Sequence, residues 1–220
     1  KVPVLNTYGT FDGGGISKTV IDDDAETRRG TVGKPHWGAE IKLVDDKGKE
    51  VPPGQDGELL FRGPATTGGY YRDLAKTLEA WGTLGRDGWF RTGDIARFDE
   101  KGNIVLTGRK KDIIIRGGQN VYPAEIEGLL FTHPRVDQVA VVGMPDPIMG
   151  EKACAYVVPK KGETFTFEEM TSFLKSKKIA PYKVPERLEI RSELPLKNFK
   201  VVKSVLREDI TQKLKAEGKI

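Results

Sequence analysis

The chain has 220 residues, of which 37% are hydrophobic and 31% charged, and its formal net charge is +4. This composition is that of a soluble globular protein, and no apolar run approaches the ~20 residues that cross a bilayer, so we predict no membrane span. The chain has no signal-peptide pattern at its start, and its single cysteine, Cys154, excludes disulfides and cysteine metal sites. We expect Cys154 to be a small core residue in a cytoplasmic protein.

The charge is distributed unevenly. Residues 1–108 contain fifteen basic and seventeen acidic residues, whereas residues 109–220 contain twenty-one and fifteen. The basic half suggests a phosphate-bearing ligand or an acidic partner. Nucleic acid is the alternative, but the basic residues are mixed with acidic ones and form no arginine-rich arm, so we predict no nucleic-acid binding.

A glycine-rich turn follows a short strand near the start of the chain. The turn contains Tyr8, Gly9, Thr10 and Asp12 and ends in three glycines. Backbone N–H groups and hydroxyls in such a turn can face a phosphate, and Asp12 can contribute an oxygen to a metal. A tight surface turn without a ligand is the alternative.

Turns and alternating strands dominate the region up to residue 108. Ile41 and Leu43 alternate with charged residues, which is typical of a strand, and Leu74 and Leu78 are one helical turn apart. The predicted elements are a plain loop at 22–35, a hairpin at 39–63, a helix at 74–81 and two strands flanking a turn at 100–103.

Asp94 follows Thr92-Gly93 at the head of a predicted strand. A carboxylate held by a glycine turn suits bidentate hydrogen bonding to a ribose diol. An aspartate that caps its own backbone turn is the alternative interpretation.

A charged segment follows at 109–111 and leads into three isoleucines at 113–115, the glycine pair Gly117-Gly118 and Pro123. The β-branched residues predict a buried strand, and the glycines predict an open loop that lets a backbone or a thin ligand come close. Pro123 is well placed in the first turn of a helix. This order of features indicates a moving joint beside a phosphate-bearing ligand.

Helical and strand patterns alternate in the remaining chain, which predicts a compact α+β domain. The predicted helices are 124–131, 167–179 and 203–215, and the predicted strands are 136–142, 153–158 and 187–190. Lys197, Lys200 and Lys203 lie on a predicted loop before the last helix. Any of the three can meet a phosphate as a mobile point charge, although solvent exposure is the default for a lysine.

Three stretches, in this order, resemble the adenylate-forming acyl-CoA synthetase superfamily, which also contains luciferases, aryl-acid–AMP ligases and peptide-synthetase adenylation domains. They are Tyr70-Tyr71-Arg72 with the segment 88–94, the segment 108–127, and Lys200. The match covers essentially the whole chain. It implies an α+β fold in which residues 1–109 are a distorted β-barrel subdomain of a large domain and residues 110–220 are a small, mobile α+β lid.

The resemblance also implies a role for each motif. Tyr8, Gly9 and Thr10 would surround the adenylate, Asp12 would contact the metal, Asp94 would hold the ribose hydroxyls, and Arg109 would reach the nucleotide. Lys111 would be the hinge, Gly117, Gly118 and Gln119 would line the pantetheine tunnel, and Lys200 would stabilise charge during adenylation.

The sequence departs from the family pattern at several positions. Phe11 stands where the family has threonine, Asp12 where it has glutamate, and Phe199 where it has glycine. No segment matches the family's phosphate-binding glycine-rich loop or most of its acyl pocket. We therefore expect the chain to be the C-terminal portion of a longer enzyme and to activate no acid by itself.

The predicted function is AMP-forming ligation of a fatty or aromatic carboxylic acid to CoA, with ATP, AMP, Mg²⁺ and CoA as ligands. One alternative is an aryl-acid–AMP ligase that delivers to a carrier-protein phosphopantetheine. Because of Phe11 and Phe199, another alternative is a non-catalytic binding module that retains the fold. We also consider that the enzyme assembles as a homodimer.

Overall fold

The structure is a computed structural model that describes residues 2–82 and 88–220. Contacts within the chain divide it into two units, Lys1–Lys110 and Lys111–Ile220. This division lies one residue after the predicted boundary at 109/110, while the assignment of the units as part of a large domain and a mobile lid stays a prediction. Among the described residues, no helix combines the length and the apolar character that a bilayer span requires.

The first unit is rich in β structure, and its strands form two antiparallel sheets, in the orders β1-β2-β3 and β4-β5-β6-β7. The elements are β1 (Thr7–Thr10), β2 (Gly14–Lys18), α1 (Ala25–Gly30), β3 (Lys34–Pro35), β4 (Glu40–Val44), β5 (Gly57–Arg62), α2 (Leu74–Trp81), β6 (Phe90–Phe98) and β7 (Ile104–Arg109). The mixed α and β content is as predicted. The distorted barrel is a correction, because in the part of the chain that the structure describes neither sheet closes on itself.

One local prediction in the first unit is wrong, and another is confirmed in its bounds. The loop predicted at 22–35 contains α1, whose N-cap Asp24 accepts a hydrogen bond from the Thr27 N–H at 2.7 Å. Helix α2 has the predicted bounds, but it buries Thr77 and Trp81 and leaves Leu74 and Leu78 exposed.

The second unit is a mixed sheet between helices, which agrees with the predicted alternation. Its elements are β8 (Ile114–Arg116), β9 (Gln119–Val121), α3 (Pro123–Phe131), β10 (Val136–Asp146), β11 (Gly150–Pro159), α4 (Phe167–Ser176), β12 (Arg187–Ile190), β13 (Leu196–Lys197), β14 (Lys200–Val201) and α5 (Lys203–Ala216). The main sheet has the order β10-β11-β8-β9, and β12 pairs in parallel with β11. A single 3₁₀ turn, Lys110–Asp112, precedes β8.

Strand β11 separates two apolar cores because its side chains alternate between the faces of the sheet. Ala155 and its neighbours on one face pack with Met170 and Leu174 of α4. On the opposite face, Cys154 and Tyr156 pack with the apolar side of α5. Cys154 is completely buried, as predicted, and burial raises its pKa to about 12.

The predicted buried strand at 113–115 is only half correct. In β8, Ile114 is buried whereas Ile115 is 55% exposed. The strand is part of a hairpin with one covered face, so neighbouring isoleucines point to opposite sides.

An ion-pair network fixes α5 to the sheet of the second unit. The carboxylate of Asp209 accepts a hydrogen bond from the Tyr156 hydroxyl at 2.7 Å and pairs with Arg191 and Lys213. Burial raises the pKa of Asp209, but the hydrogen bonds from Arg191, Tyr156 and Lys213 outweigh burial and lower the pKa to about 2.

This shift predicts how stability depends on pH. Because the pKa of Asp209 is lower in the folded state than the ~3.9 of an unfolded aspartate, its stabilising effect is complete above about pH 4 and is lost as the pH falls toward 2. Asp209→Asn should lower the free energy of unfolding by on the order of 1–2 kcal/mol at pH 5. It should also make the free energy of unfolding fall less steeply between pH 4 and pH 2. Urea unfolding at each pH measures both quantities, with the exposed Asp137→Asn as control. An unchanged slope in Asp209→Asn would contradict this account.

Candidate functional site

An irregularity in β6 positions Asp94. Three residues of β6, Thr92, Gly93 and Asp94, stand opposite the single residue Leu59 of β5. Gly93 has φ +69°, and the Thr92 hydroxyl donates to the Leu59 carbonyl at 2.8 Å while accepting from the Asp94 N–H at 3.1 Å. Bulges of this kind re-aim a side chain, and here the side chain is the Asp94 carboxylate. Asp94 therefore lies within a bulged strand and not at its predicted head.

Side chains from two other strands hold the Asp94 carboxylate, which is buried. The Tyr8 hydroxyl of β1 donates to Oδ2 of Asp94 at 2.6 Å, and Nε of Arg109, opposite Asp94 on β7, lies 3.0 Å from Oδ1. Burial, and then the hydrogen bond to Asp94, raise the pKa of Tyr8, so the phenol stays protonated as a donor. We call Tyr8, Asp94 and Arg109 the Asp94 cluster.

The Asp94 cluster retains capacity to bind a ligand. An ionised carboxylate offers about four acceptor sites, and Tyr8 and Arg109 occupy two of them. Two further hydroxyl donors, such as those of a diol, can be accommodated by the remaining sites. The carboxylate is therefore held by distant strands, whereas the alternative interpretation required it to cap its own turn.

The glycine-rich turn between β1 and β2 is held by its own side chains. Oγ1 of Thr10 accepts from the Gly13 N–H at 2.8 Å, so this hydroxyl closes the turn. A Cβ atom on Gly9 would lie 2.5 Å from the Gly14 carbonyl oxygen, so only glycine fits there. Phe11 is fully exposed. The interpretation as a structural turn thus accounts for Gly9 and Thr10 in this structure.

Asp12 is the carboxylate of this turn. No group of three or more His, Cys, Asp or Glu residues suited to a metal occurs within residues 2–82 and 88–220. At nucleotide sites, however, Mg²⁺ is commonly bound by one or two carboxylates together with substrate phosphates. Asp12 therefore fits a metal that arrives with a nucleotide and does not fit a cage made by the protein alone.

Tyr70 is a site residue to which sequence reasoning gave no role. Its hydroxyl donates to Oδ2 of Asp12 at 3.2 Å, and its ring packs edge-on against Trp81 at 5.3 Å. Thr67 also donates to the Asp12 carbonyl at 3.0 Å. Tyr70 belongs to one of the motifs that carry the family resemblance, so that motif was the signal available.

In the second unit, Gly117 and Gly118 form a tight turn and not the predicted open loop. Arg116 pairs with Gln119, which leaves only the two glycines between β8 and β9. Their φ values are +56° and +81°, as a two-residue hairpin of type I′ requires. A Cβ atom on Gly118 would meet nothing within 4 Å, whereas one on Gly117 would lie 3.2 Å from Cε of Met149, so the turn is open only at Gly118. Gln119 beside it is exposed.

Lys197 and Lys200 lie on a short hairpin, β13–β14, where a loop was predicted, and Lys203 is the first residue of α5. Lys197 pairs with Lys200 across the hairpin, and Asn198 and Phe199 form its turn. Nζ of Lys203 lies 2.7 Å from Glu127, so the charge of Lys203 is already paired. Within the described ranges, the ammonium groups of Lys197 and Lys200 form no ion pair. Lys111 is exposed in the 3₁₀ turn where the second unit begins.

Family models match both units. The model described as AMP-binding enzyme matches residues 1–71, and the model described as AMP-binding enzyme C-terminal domain matches residues 125–199.

The chain belongs to the AMP-binding enzyme family.

Named relatives include ligases of two kinds. The medium-chain fatty-acid–CoA ligase of Escherichia coli strain K12 is 39% identical over 215 residues, which is 97% of the chain and 38% of the relative. The 2,3-dihydroxybenzoate–AMP ligase of Bacillus subtilis strain 168 is 40% identical over 203 residues, 91% of the chain and 37% of the relative.

Solved structures agree in fold. The anthranilate CoA ligase AuaEII in complex with anthranoyl-AMP superposes with a TM-score of 0.86 at 30% identity, covering 97% of the chain and 41% of that protein. The chain thus spans about two fifths of the length of these relatives. The predicted family is confirmed, and the roles assigned to single residues stay predictions.

The turn of the lysine hairpin gives a prediction about stability. Asn198 and Phe199 have φ values of +51° and +61°, and the left-handed region costs an ordinary residue ~1–2 kcal/mol. Because Phe199 is fully exposed, Phe199→Gly loses no packing and should raise hydrogen-exchange protection of the hairpin amides about threefold. Asn198→Gly is the control and should change protection less, since asparagine tolerates this conformation. Lower protection in Phe199→Gly would show that the aromatic ring stabilises the hairpin.

Proposed function

We propose that this chain is the C-terminal portion of an AMP-forming acid–CoA ligase. Such an enzyme transfers the AMP portion of ATP to a carboxylic acid, with release of pyrophosphate, and then transfers the acyl group to the thiol of CoA, with release of AMP. The observation that carries the proposal is the Asp94 cluster, in which a buried carboxylate is held by Tyr8 and Arg109 with acceptor sites left for a ribose diol. Family membership and the adenylate-bound structural relative support the same ligand.

The first half-reaction needs positive charge at phosphorus. A carboxylate must attack the α-phosphorus of ATP, so two anions approach each other and charge builds on the phosphoryl oxygens. Lys200 is the group that we assign to this task, because the family resemblance points to it and its ammonium forms no ion pair in the part of the chain that the structure describes. Lys203 is paired with Glu127, and Lys197, which also forms no ion pair within the described part of the chain, is the control. Mg²⁺ bound to the phosphates would neutralise further charge, with Asp12 as one protein ligand.

The second half-reaction needs a path for a thiol. The Gly117-Gly118 turn offers an open edge at Gly118, at which a thin pantetheine arm can pass, and Gln119 offers an amide beside it. One active site cannot hold Lys200 and the thiol path in the same place at the same time. A swing of the second unit about Lys111 would exchange them, as lids do in other enzymes.

The thiol acceptor and the carboxylic acid substrate have to be identified by experiment. The CoA ligase and the AMP ligase among the relatives are 39% and 40% identical, so identity does not separate CoA from a carrier-protein phosphopantetheine as the acceptor. CoA is our proposal, because several named relatives are CoA ligases. Assaying the complete enzyme with each acceptor over a panel of fatty and aromatic acids decides both questions. Assembly as a homodimer stays a hypothesis, as does a cytoplasmic location.

The ribose contact can be tested on this chain. Asp94→Asn keeps the shape of the side chain but removes its charge, so it should weaken AMP binding by about 10- to 100-fold, a cost of ~1–3 kcal/mol. The loss should depend on the diol: wild-type chain should prefer AMP to 2′-deoxy-AMP strongly, and Asp94→Asn should have little preference. Calorimetric titration of the wild-type chain and Asp94→Asn with AMP and with 2′-deoxy-AMP gives the four affinities of a thermodynamic cycle. The cycle yields the coupling between Asp94 and the 2′-hydroxyl.

Asp56→Asn serves as the matched control, since Asp56 pairs with Arg97 in the same unit at 3.4 Å. This variant should bind AMP as wild type does. If the wild-type chain binds DNA in a salt-sensitive manner and binds neither nucleotide, a non-catalytic module is the correct reading. If AMP binds but Asp94→Asn retains the full preference for the 2′-hydroxyl, the Asp94 cluster is not the ribose site.

The role of Lys200 can be tested by measuring the two half-reactions separately. In the complete enzyme, Lys200→Ala should slow pyrophosphate exchange by roughly 10²-fold or more, the effect of removing one transition-state donor. It should leave thioester formation from preformed acyl-adenylate within about threefold, because the lysine is withdrawn in that step.

Lys197→Ala is the matched control for this experiment. Lys197 is the partner of Lys200 across the hairpin, so the change removes a lysine of the same surface without touching the proposed catalytic group. Equal losses of exchange in the two variants would indicate a diffuse charge effect. Equal losses of Lys200→Ala in both half-reactions would contradict the split role.

A further inference from the structure

The segment on the first-unit side of Lys111 is anchored. Lys110 lies one residue after β7, and its ammonium is 3.1 Å from Oε2 of Glu58 and 3.0 Å from Oδ1 of Asp46. Glu58 is a buried carboxylate of β5, 5% exposed, and Arg91 of β6 also pairs with it. Lys110 is therefore tied to a group that the core of the first unit holds in place.

The segment on the second-unit side of Lys111 is anchored by a different contact. One nitrogen of the Arg207 guanidinium lies 2.8 Å from Oδ1 of Asp112 and 3.3 Å from the carbonyl oxygen of Lys111. Arg207 belongs to α5, and its neighbour Leu206 is buried in the core of the second unit. The peptide plane after Lys111 is thus fixed to α5.

These two anchors leave few bonds that can turn. The carbonyl of Lys111 and the N–H of Asp112 share one planar peptide unit. A rotation about the Cα–C bond of Lys111 carries that plane, Asp112 and Arg207 together, so neither contact of Arg207 has to break. Between the Cα atom of Lys110 and this plane, the rotatable bonds are ψ of Lys110 and φ and ψ of Lys111. The side chain of Lys111 is exposed and forms no ion pair among the residues described.

We propose that Lys110 with Glu58, and Arg207 with Asp112, are hinge-positioning residues that confine rotation between the two units to ψ of Lys110 and φ and ψ of Lys111. The inference rests on the proposed function, in which the second unit swings between two half-reactions. Neither pair would touch a substrate. The pairs act by removing alternative pivots, so that the second unit moves between few orientations and does not tumble on a flexible linker.

The distribution of distances between the two units measures this directly. Cysteines introduced at the exposed positions Lys34 and Lys161 can carry spin labels, because Cys154 is completely buried and will not react. In this background, Lys110→Met and Arg207→Ala should each widen the distance distribution about twofold, since each releases additional backbone torsions. Asp112→Asn, which keeps its shape, should have a smaller effect in the same direction.

Matched controls remove ion pairs of the same units away from the segment. Lys101→Ala breaks the pair with Asp24 at 2.8 Å in the first unit, and Lys213→Ala breaks the pair with Asp209 at 3.1 Å on α5. Both should leave the distribution at its wild-type width even where they lower the melting temperature. Wild-type widths in Lys110→Met and Arg207→Ala, or equal widening in the controls, would overturn the proposal.

This measurement needs no catalytic activity, so it separates the two claims. If the complete enzyme lacks ligase activity while Arg207→Ala still widens the distribution, the proposed function fails and the anchors stand. If the enzyme is an active ligase and neither hinge variant alters the distribution, the ligase stands and the anchors fail. In an active ligase, Arg207→Ala should lower overall turnover by several-fold more than Lys213→Ala does, with full CoA saturation.

Discussion

The candidate site of the first unit is built around a buried carboxylate. Asp94 is 6% exposed, and taking a carboxylate out of water costs several kcal/mol unless partners compensate. The partners, Tyr8 and Arg109, come from β1 and β7, so both strands must be in place before the cost is offset. An apolar residue at position 94 would need neither partner nor a bulge. The fold thus holds a group that its own stability does not require, which is the expected mark of a site for a ligand.

The second unit follows the opposite arrangement. Its interior is apolar on both faces of β11, and its candidate groups, the Gly117-Gly118 turn and Lys200, lie on exposed turns. A solvated lysine stabilises a phosphoryl group weakly, because water screens its charge. The same ammonium acts strongly in a site from which water is excluded. In the proposed roles, neither group would therefore work on its own surface, and the unit would have to be brought against a substrate.

Sequence reasoning succeeded where a pattern is local. The apolar repeat of α5 and the alternation of β4 predicted those elements, but the N-cap of α1 was overlooked because Asp24 stands among other aspartates. The bulge before Asp94 depends on how β6 meets β5, and the Tyr8–Asp94 hydrogen bond joins residues 86 positions apart. No single segment contains that information. The family resemblance placed these residues together, and the structure shows by which contacts they are held.

The joint between the units has to satisfy two requirements that oppose each other. A linker with many free torsions can reach any orientation, but each productive one is then rarely populated, and its ordering costs ~1–2 kcal/mol of backbone entropy per residue. A rigid linker allows only one orientation. A residue in a single 3₁₀ turn, with Lys110 held by Glu58 before it and the next peptide plane held by Arg207 after it, avoids both limits. Because each anchor lies wholly within its own unit, the proposed exchange of orientations would keep every anchoring contact.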